Sequence, residues 1–272
     1  MIMQGASRRS LAVLQEAFDS RRDAGADVAV ISGDLLAVAA LLSREIGLRN
    51  ALSDTGAEAD GRSAIAHQLL DGKLSADAFA LLDEAVRARW SRSRDLVDSL
   101  EAIAAQAAFT LAERERRLDR IEDELFRFGR TIAASADLRD ALALLDVPAE
   151  AKQALLHNLL EGKADPTTRT LLDHVVSAPR GRRIEDAVLE LSELAAQRRG
   201  RIIADVRVAA PLTADQHRRL TVALERIYRR DVSLQVAVDP RVLGGAVVTV
   251  GDEVIDGTVL NRLEQARRQV AG

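Results

Sequence analysis

The sequence contains no cysteine, which excludes disulfides, a thiolate nucleophile and the usual structural zinc sites, and fits a reducing compartment. Aromatic residues make up 3% of the chain, with one Trp and one Tyr, too few for a platform that stacks single-stranded nucleic acid. The four histidines, His67, His157, His174 and His217, stand far apart in no HxH or HExxH spacing, so nothing suggests a metal enzyme. Charge of one sign is lacking too: 38 Lys plus Arg against 42 Asp plus Glu give −4, with no general pull toward nucleic acid or anionic lipid. The longest apolar run, Leu35 to Leu42, is far short of the ~20 residues of a membrane helix. Met1 to Ser10 lacks the basic-then-apolar layout of a secretion signal. The expectation is a soluble, cytosolic protein, or one held at a membrane by something else.

What is present is enough apolar residue for a proper core, 47% of 272 residues, divided into two or three domains. The most informative feature is an internal repeat. With a shift of 90, the 39 positions from 48 to 86 give 15 identities, among them Leu48-Arg49 with Leu138-Arg139, His67 with His157, and Gly72-Lys73 with Gly162-Lys163. Chance gives roughly 4 in so Leu- and Ala-rich a chain, so the run marks a duplicated helical module. Asp165-Pro166 is an N-cap and first-position pair, Pro148 opens another helix, and Gly162 suits a helix C-terminus. Leu48, Leu52, Leu69, Leu70, Leu81, Leu82 and Val86 form the expected core of the first copy. Leu138, Leu142, Leu159, Leu160, Leu171, Leu172 and Val176 are their counterparts.

Between the copies, Ser91 to Phe128 has no Gly or Pro before its end and carries apolar residues at three- and four-residue steps. It reads as one helix of roughly 57 Å or as two abutting helices that part near Arg114. After Gly200 the pattern changes. Arg201 to Ala209 alternates like a strand, and Thr213 with Gln216 makes a capping box for a helix to about Arg229. Val232 to Val238 reads as a second strand, and Ala246 to Val250 with Val254-Ile255 as a hairpin about Gly251-Asp252. Asp256 is placed to cap a final helix from Gly257 to Val270. The fold class is therefore mainly α: two duplicated helical bundle modules, 1–110 and 111–200, followed by a small α/β domain, 201–272.

Enzyme signatures are near misses with ordinary explanations. Gly72-Lys73 and Gly162-Lys163 lack the earlier glycine and the following Ser/Thr of a phosphate-binding loop, so they read as helix-end turns. Gly244-Gly245 reads as a bulge or tight turn. His67 and His157, among leucines, read as packing or capping residues, and Arg180, Arg182, Arg183, Arg198, Arg199 and Arg201 as solvated or partner-facing. No cofactor, metal or catalytic residue is expected.

The stretch Val238-Asp-Pro-Arg-Val-Leu-Gly-Gly-Ala-Val-Val-Thr-Val-Gly-Asp-Glu-Val-Ile-Asp-Gly-Thr-Val259 resembles the signature of the δ subunits of F-type ATP synthases, called OSCP in mitochondria. Arg201 to Thr213 is similar to that family's entry into its C-terminal domain, and Ser7 to Phe18 resembles its opening helix. The resemblance covers roughly residues 111 to 272, so the first helical module is additional, as in a long actinobacterial-type form.

The resemblance implies a non-catalytic peripheral-stalk protein, part of a multi-subunit complex at the cytoplasmic face of the cell membrane with no span of its own. Its helical domain would receive amphipathic N-terminal helices of α subunits, in a groove for which Leu138, Leu142, Leu159, Leu160, Leu171, Leu172 and Val176 are the candidates. Its C-terminal domain would grip the b subunits, with Asp239, Gly244, Gly245, Gly251, Asp252, Val254, Asp256 and Gly257 as structural elements of that domain. Val247, Val248, Val254, Ile255, Val259 and Leu263 form either its local core or an exposed seam. The competing reading is a duplicated helical adaptor or regulator with no tie to ATP synthase. It accounts for the repeat but not for the register of the signature.

Overall fold

A computed structural model describes residues 5–143, 147–198, 202–229, 232–242, 244–251 and 253–257. Eleven helices come first among the described residues: α1 (Gly5–Asp23), α2 (Val28–Arg44), α3 (Ile46–Ser53), α4 (Ala59–Leu70), α5 (Ala76–Arg87), α6 (Ser93–Arg114), α7 (Leu118–Ala134), α8 (Ala136–Ala143), α9 (Ala149–Leu160), α10 (Pro166–Ser177) and α11 (Ile184–Arg198). The sequence period of 90 is also a period of helix boundaries. Each bound of α2, α3, α4 and α5 recurs 90 residues later in α7, α8, α9 and α10.

Local chemistry places these boundaries. The Asp27 carboxylate accepts the N–H groups of Ala29 and Val30 to open α2. Ser75 and Asp165 occupy the same place in the repeat and cap α5 and α10 through the N–H groups of Ala78 and Thr167. Gly72 and Gly162, at φ 70° and 66°, supply the left-handed turn that follows α4 and α9. A further hydrogen bond is duplicated. Asp34 on α2 accepts the N–H of Ser75 at 2.8 Å, and Glu124 on α7 accepts that of Asp165 at 2.8 Å.

The long stretch from Ser91 to Phe128 is two helices. Arg116 adopts φ 57°, and α6 ends at Arg114 before α7 begins at Leu118. The shift of 90 sets α1 on α6 and α6 on α11, so α6 is the last helix of one bundle, α1–α6, and the first of the next, α6–α11. Its burial agrees. Leu96, Leu100, Ile103, Ala104, Ala107, Phe109 and Ala112 are all buried, and they lie around the whole circumference rather than along one stripe. The expected module border at 110 and 111 falls inside this shared helix.

One continuous core runs through both bundles, from Leu14 and Phe18 on α1 to Val188 and Ala195 on α11. Leu52, Leu81, Leu82 and Val86, with their counterparts Leu142, Leu171, Leu172 and Val176, belong to it as expected. Leu69 and Leu159 do not: they are 41% and 37% exposed. Each is the first of a Leu-Leu pair, and neighbours on a helix point about 100° apart. The inward place goes to Leu70 and Leu160, which touch the core.

The chain divides into two compact units, residues 1–195 and 196–272. In the second, β1 (Ile202–Val208), α12 (Ala214–Tyr228), β2 (Val232–Val238), β3 (Ala246–Val250) and β4 (Glu253–Asp256) build a sheet in the order β2-β1-β3-β4. β1 and β2 run parallel, joined through α12, whereas β1–β3 and β3–β4 are antiparallel. Thr213 and Gln216 complete the expected capping box at the start of α12. Ala204, Val206 and Val208 alternate into a small core with Leu224, Val232 and Val248. The final helix expected from Gly257 to Val270 lies outside the described residues, as do Asp252, Val259 and Leu263.

Candidate functional site

The signature of the α/β unit folds into a turn and a hairpin. Asp239 ends β2 by donating its N–H to the Val208 carbonyl at 2.8 Å, and its carboxylate accepts the backbone N–H and the guanidinium of Arg241, each at 3.0 Å. The Arg241 side chain beside it holds that carboxyl below the usual range. Gly244 and Gly245, at φ 69° and 82°, lead the chain into β3, as a tight turn requires. Gly251, at φ 58°, starts the hairpin turn into β4. At the far end Gly257 donates to the Ala246 carbonyl at 2.9 Å, and a Cβ there would stand 3.2 Å from that oxygen.

Beside this hairpin, α12 and the sheet leave an apolar groove of about 590 Å³, with Pro211, Leu212, Leu220, Leu224, Ile227, Ile255 and Gly257 in its lining. Of the valines and isoleucine left open by the sequence, Val248 is core, Val247 and Ile255 are half-buried, and Val254 is 59% exposed.

In the helical unit the seven candidate groove residues do not form one open surface. Leu142, Leu171, Leu172 and Val176 are closed into the core, and Leu138 and Leu160 are half-buried against it. Leu159 is the member that faces solvent. The expectation of a groove lined by all seven is therefore corrected: most of them hold the bundle together and present no surface.

Of the basic residues before α11, Arg180 and Arg182 turn inward, whereas Arg183 is exposed as expected. The side chain of Arg180 is buried, 4% exposed, and its guanidinium meets both oxygens of Glu101 and also Asp98 at 2.6 Å. His174 lies 2.6 Å from Glu101, and Arg182 donates to the same carboxylate at 2.9 Å. Arg180 also reaches Ser43 on α2 at 3.2 Å, so the cluster joins helices of both bundles. Burial alone would raise Glu101, but hydrogen bonds from Arg180 and His174 and the charges of Arg180 and Arg182 outweigh it and hold the carboxyl far below its ordinary value. For Asp98 burial wins over the same two arginines and the carboxyl is raised. Arg180 and Arg182 were expected at the surface because their partners lie 79 to 82 positions away, where no local pattern shows them.

His67 and His157 are both exposed: the His67 ring lies tilted against Phe79 at 4.5 Å between ring centroids, and His157 lies 2.9 Å from Asp173. Lys73 and Lys163 donate to the carbonyls of Leu69 and Leu159, tying off the ends of α4 and α9. Among the described residues no group of His, Asp and Glu is arranged to hold a metal ion, and no helix is long and apolar enough to cross a membrane.

The family model of the ATP synthase delta (OSCP) subunit matches residues 103–270. The ATP synthase subunit delta of Streptomyces griseus is 45% identical over 271 residues, covering 99% of this chain and all of that one. That of Thermobifida fusca is 42% identical over 270 residues, again 99% of this chain and all of its relative. A chain in the mitochondrial ATP synthase hexamer of Toxoplasma gondii aligns with a TM-score of 0.40 and 20% identity, over 62% of this chain and 95% of that chain.

Proposed function

Because the chain belongs to the ATP synthase delta (OSCP) subunit family, we propose that it ties the α subunits of the catalytic head to the membrane-anchored b subunits at the cytoplasmic face of the cell membrane. It is a non-catalytic subunit of a proton-transporting ATP synthase, in the peripheral stalk that keeps the head from turning with the rotor. The full-length match sets aside the unrelated adaptor. The helical unit takes N-terminal helices of α subunits, and the α/β unit, with the hairpin of Gly244, Gly245 and Gly251, takes the b subunits. Supporting this assignment is the family signature, which sits as one built piece, turn and hairpin, beside an open apolar groove.

The physical demand on a stationary link is resistance to torque through every catalytic cycle. Such a link needs interfaces of standard size or larger with slow dissociation, and needs no reaction chemistry. A continuous core and a buried ion cluster that joins two bundles suit a part that transmits load without bending.

The test is an affinity pull-down of the tagged chain from detergent-solubilised membranes of its source, with every co-purifying chain identified. Recovery of α and b subunits in fixed ratio is the expected result. Recovery of neither, from an extract in which the synthase is intact, sinks the assignment.

A further inference from the structure

The second bundle carries an ion cluster that the first does without. Asp98 and Glu101 on α6, His174 on α10, and Arg180 and Arg182 before α11 have side chains between 4% and 22% exposed. Shifted by 90, their positions fall on Arg8, Leu11, Glu84, Trp90 and Arg92. Of these, Arg8, Glu84 and Arg92 are exposed, whereas Leu11 and Trp90 pack on the core. The Trp90 indole donates to the Ala85 carbonyl at 2.8 Å, inside its own bundle. The repeat therefore closes this corner without buried ions. Nor do buried ions add much net stability over apolar residues of like volume, because desolvation offsets their attraction. What they add is direction, since charged hydrogen bonds hold in one geometry and apolar contact is indifferent to it.

The place of the cluster shows what is being directed. It lies where the C-terminal end of α2, a helix of the first bundle, comes down on the second. There α2 lies against α6 and α10, and Ser43 in its last turn accepts from Arg180 at 3.2 Å. The buried residues beside this contact are apolar and mostly small, Val38 and Leu42 on α2 and Ala104 and Ala108 on α6. A second polar contact, from the Ser32 hydroxyl to the Ala104 carbonyl at 2.9 Å, stands 11 residues earlier on α2, roughly 16 Å along the helix. By itself that bond is a pivot. Together with Ser43 it defines a line. Arg180 reaches its partners from a left-handed backbone, φ 49°, followed by Gly181 at 73°, a conformation that a residue with a side chain rarely adopts.

We propose that the cluster around Arg180 is a register lock. It fixes the line and register along which α2 of the first bundle lies on the second, and so holds the two bundles at one setting about their shared α6. The lock belongs to the junction rather than to the repeat, which is why the first bundle has no copy of it. It works within this chain alone, whatever partners the chain holds. In a stationary link, a joint with one setting has no slack to take up under torque.

The chain has no cysteine, so Leu69→Cys and Leu159→Cys, exposed positions one repeat apart on α4 and α9, place one spin label on each bundle. Double electron–electron resonance reads the distance distribution between them, and melting curves verify folding. The triple variant Asp98→Asn, Glu101→Leu, Arg180→Met removes the lock, while Arg182 keeps Glu190 at 3.6 Å. It is expected to stay folded, since exchanging a whole ion cluster for neutral residues costs little, and to widen the distribution about twofold or more over a narrow parental one. A folded triple variant of parental width overturns the proposal, as does a parent that is already broad. Should the triple variant not fold, Ser43→Ala, which leaves every charge in place, decides: widening is expected, and an unchanged width overturns the lock.

Discussion

Arg180 meets Glu101 with both terminal nitrogens of its guanidinium, closing the loop before α11 onto α6 across 79 positions of sequence. Removing the cation takes from Asp98 its 2.6 Å partner and leaves Glu101 with His174 and Arg182 alone. Arg180→Met is expected to lower the unfolding free energy by about 3–5 kcal/mol. Arg180→Lys recovers only part of it, because a point charge does not match a two-pronged contact. Denaturant unfolding followed by circular dichroism measures both, and a loss in Arg180→Met no larger than that of an ordinary surface change contradicts the role.

The pH dependence has a definite sign. A carboxyl whose folded value is depressed, as for Glu101, adds stability above the unfolded value of about 4.3 and loses it as pH falls through the folded value. Asp98 works in the opposite sense: its raised carboxyl makes the ionised form costly at neutral pH, a cost that protonation removes. Glu101→Gln is therefore expected to destabilise at neutral pH, with the deficit shrinking below about pH 4, where the unfolded wild-type chain takes up a proton that the folded carboxylate does not. Thermal melts of both proteins across that range check it, and a deficit that does not change with pH goes against the assignment.

Glu124 accepts both the N–H of Asp165 and the hydroxyl of Thr168, at 2.8 and 2.6 Å. Glu124→Ala leaves these donors without their acceptor and is expected to cost about 1–3 kcal/mol. Asp34→Ala, at the equivalent place, frees only the N–H of Ser75 among the bonds described and should cost less. Parallel denaturant titrations of the two variants decide the order, and the reverse order refutes it.

Leu172→Asp puts a charge into a fully buried site. It is expected to prevent folding or to cost more than about 4 kcal/mol. Leu159→Asp, at a solvent-facing site, should stay within about 0.5 kcal/mol of the wild type. Circular dichroism melts distinguish the two, and similar losses would contradict the burial described.

Sequence alone carried the repeat, the strands of the α/β unit and its hairpin because each depends on local pattern: a fixed period, alternation, and glycine where φ is positive. It failed at Leu159 and Leu69, since composition does not say which member of a Leu-Leu pair turns inward. It also missed the shared helix. The signal was present in Ala102, Ala104, Ala105, Ala107 and Ala108, because small residues on every side of a helix allow close packing all round, but the border drawn at 110 and 111 cuts across it. The candidate groove was least legible. Apolar spacing reports which residues are buried, so its candidates in the second module marked the core there and no open surface.

The sharing of α6 has a consequence for how such a chain can gain or lose length. The repeating segment holds five helices of its own and borrows the sixth from its neighbour. A deletion of 90 residues begun anywhere between residues 5 and 95 therefore restores one complete bundle, whatever its phase. A genetic duplication would have needed the right length but no particular breakpoint, and shortening the chain by one period is the corresponding route back to a single-bundle ancestor.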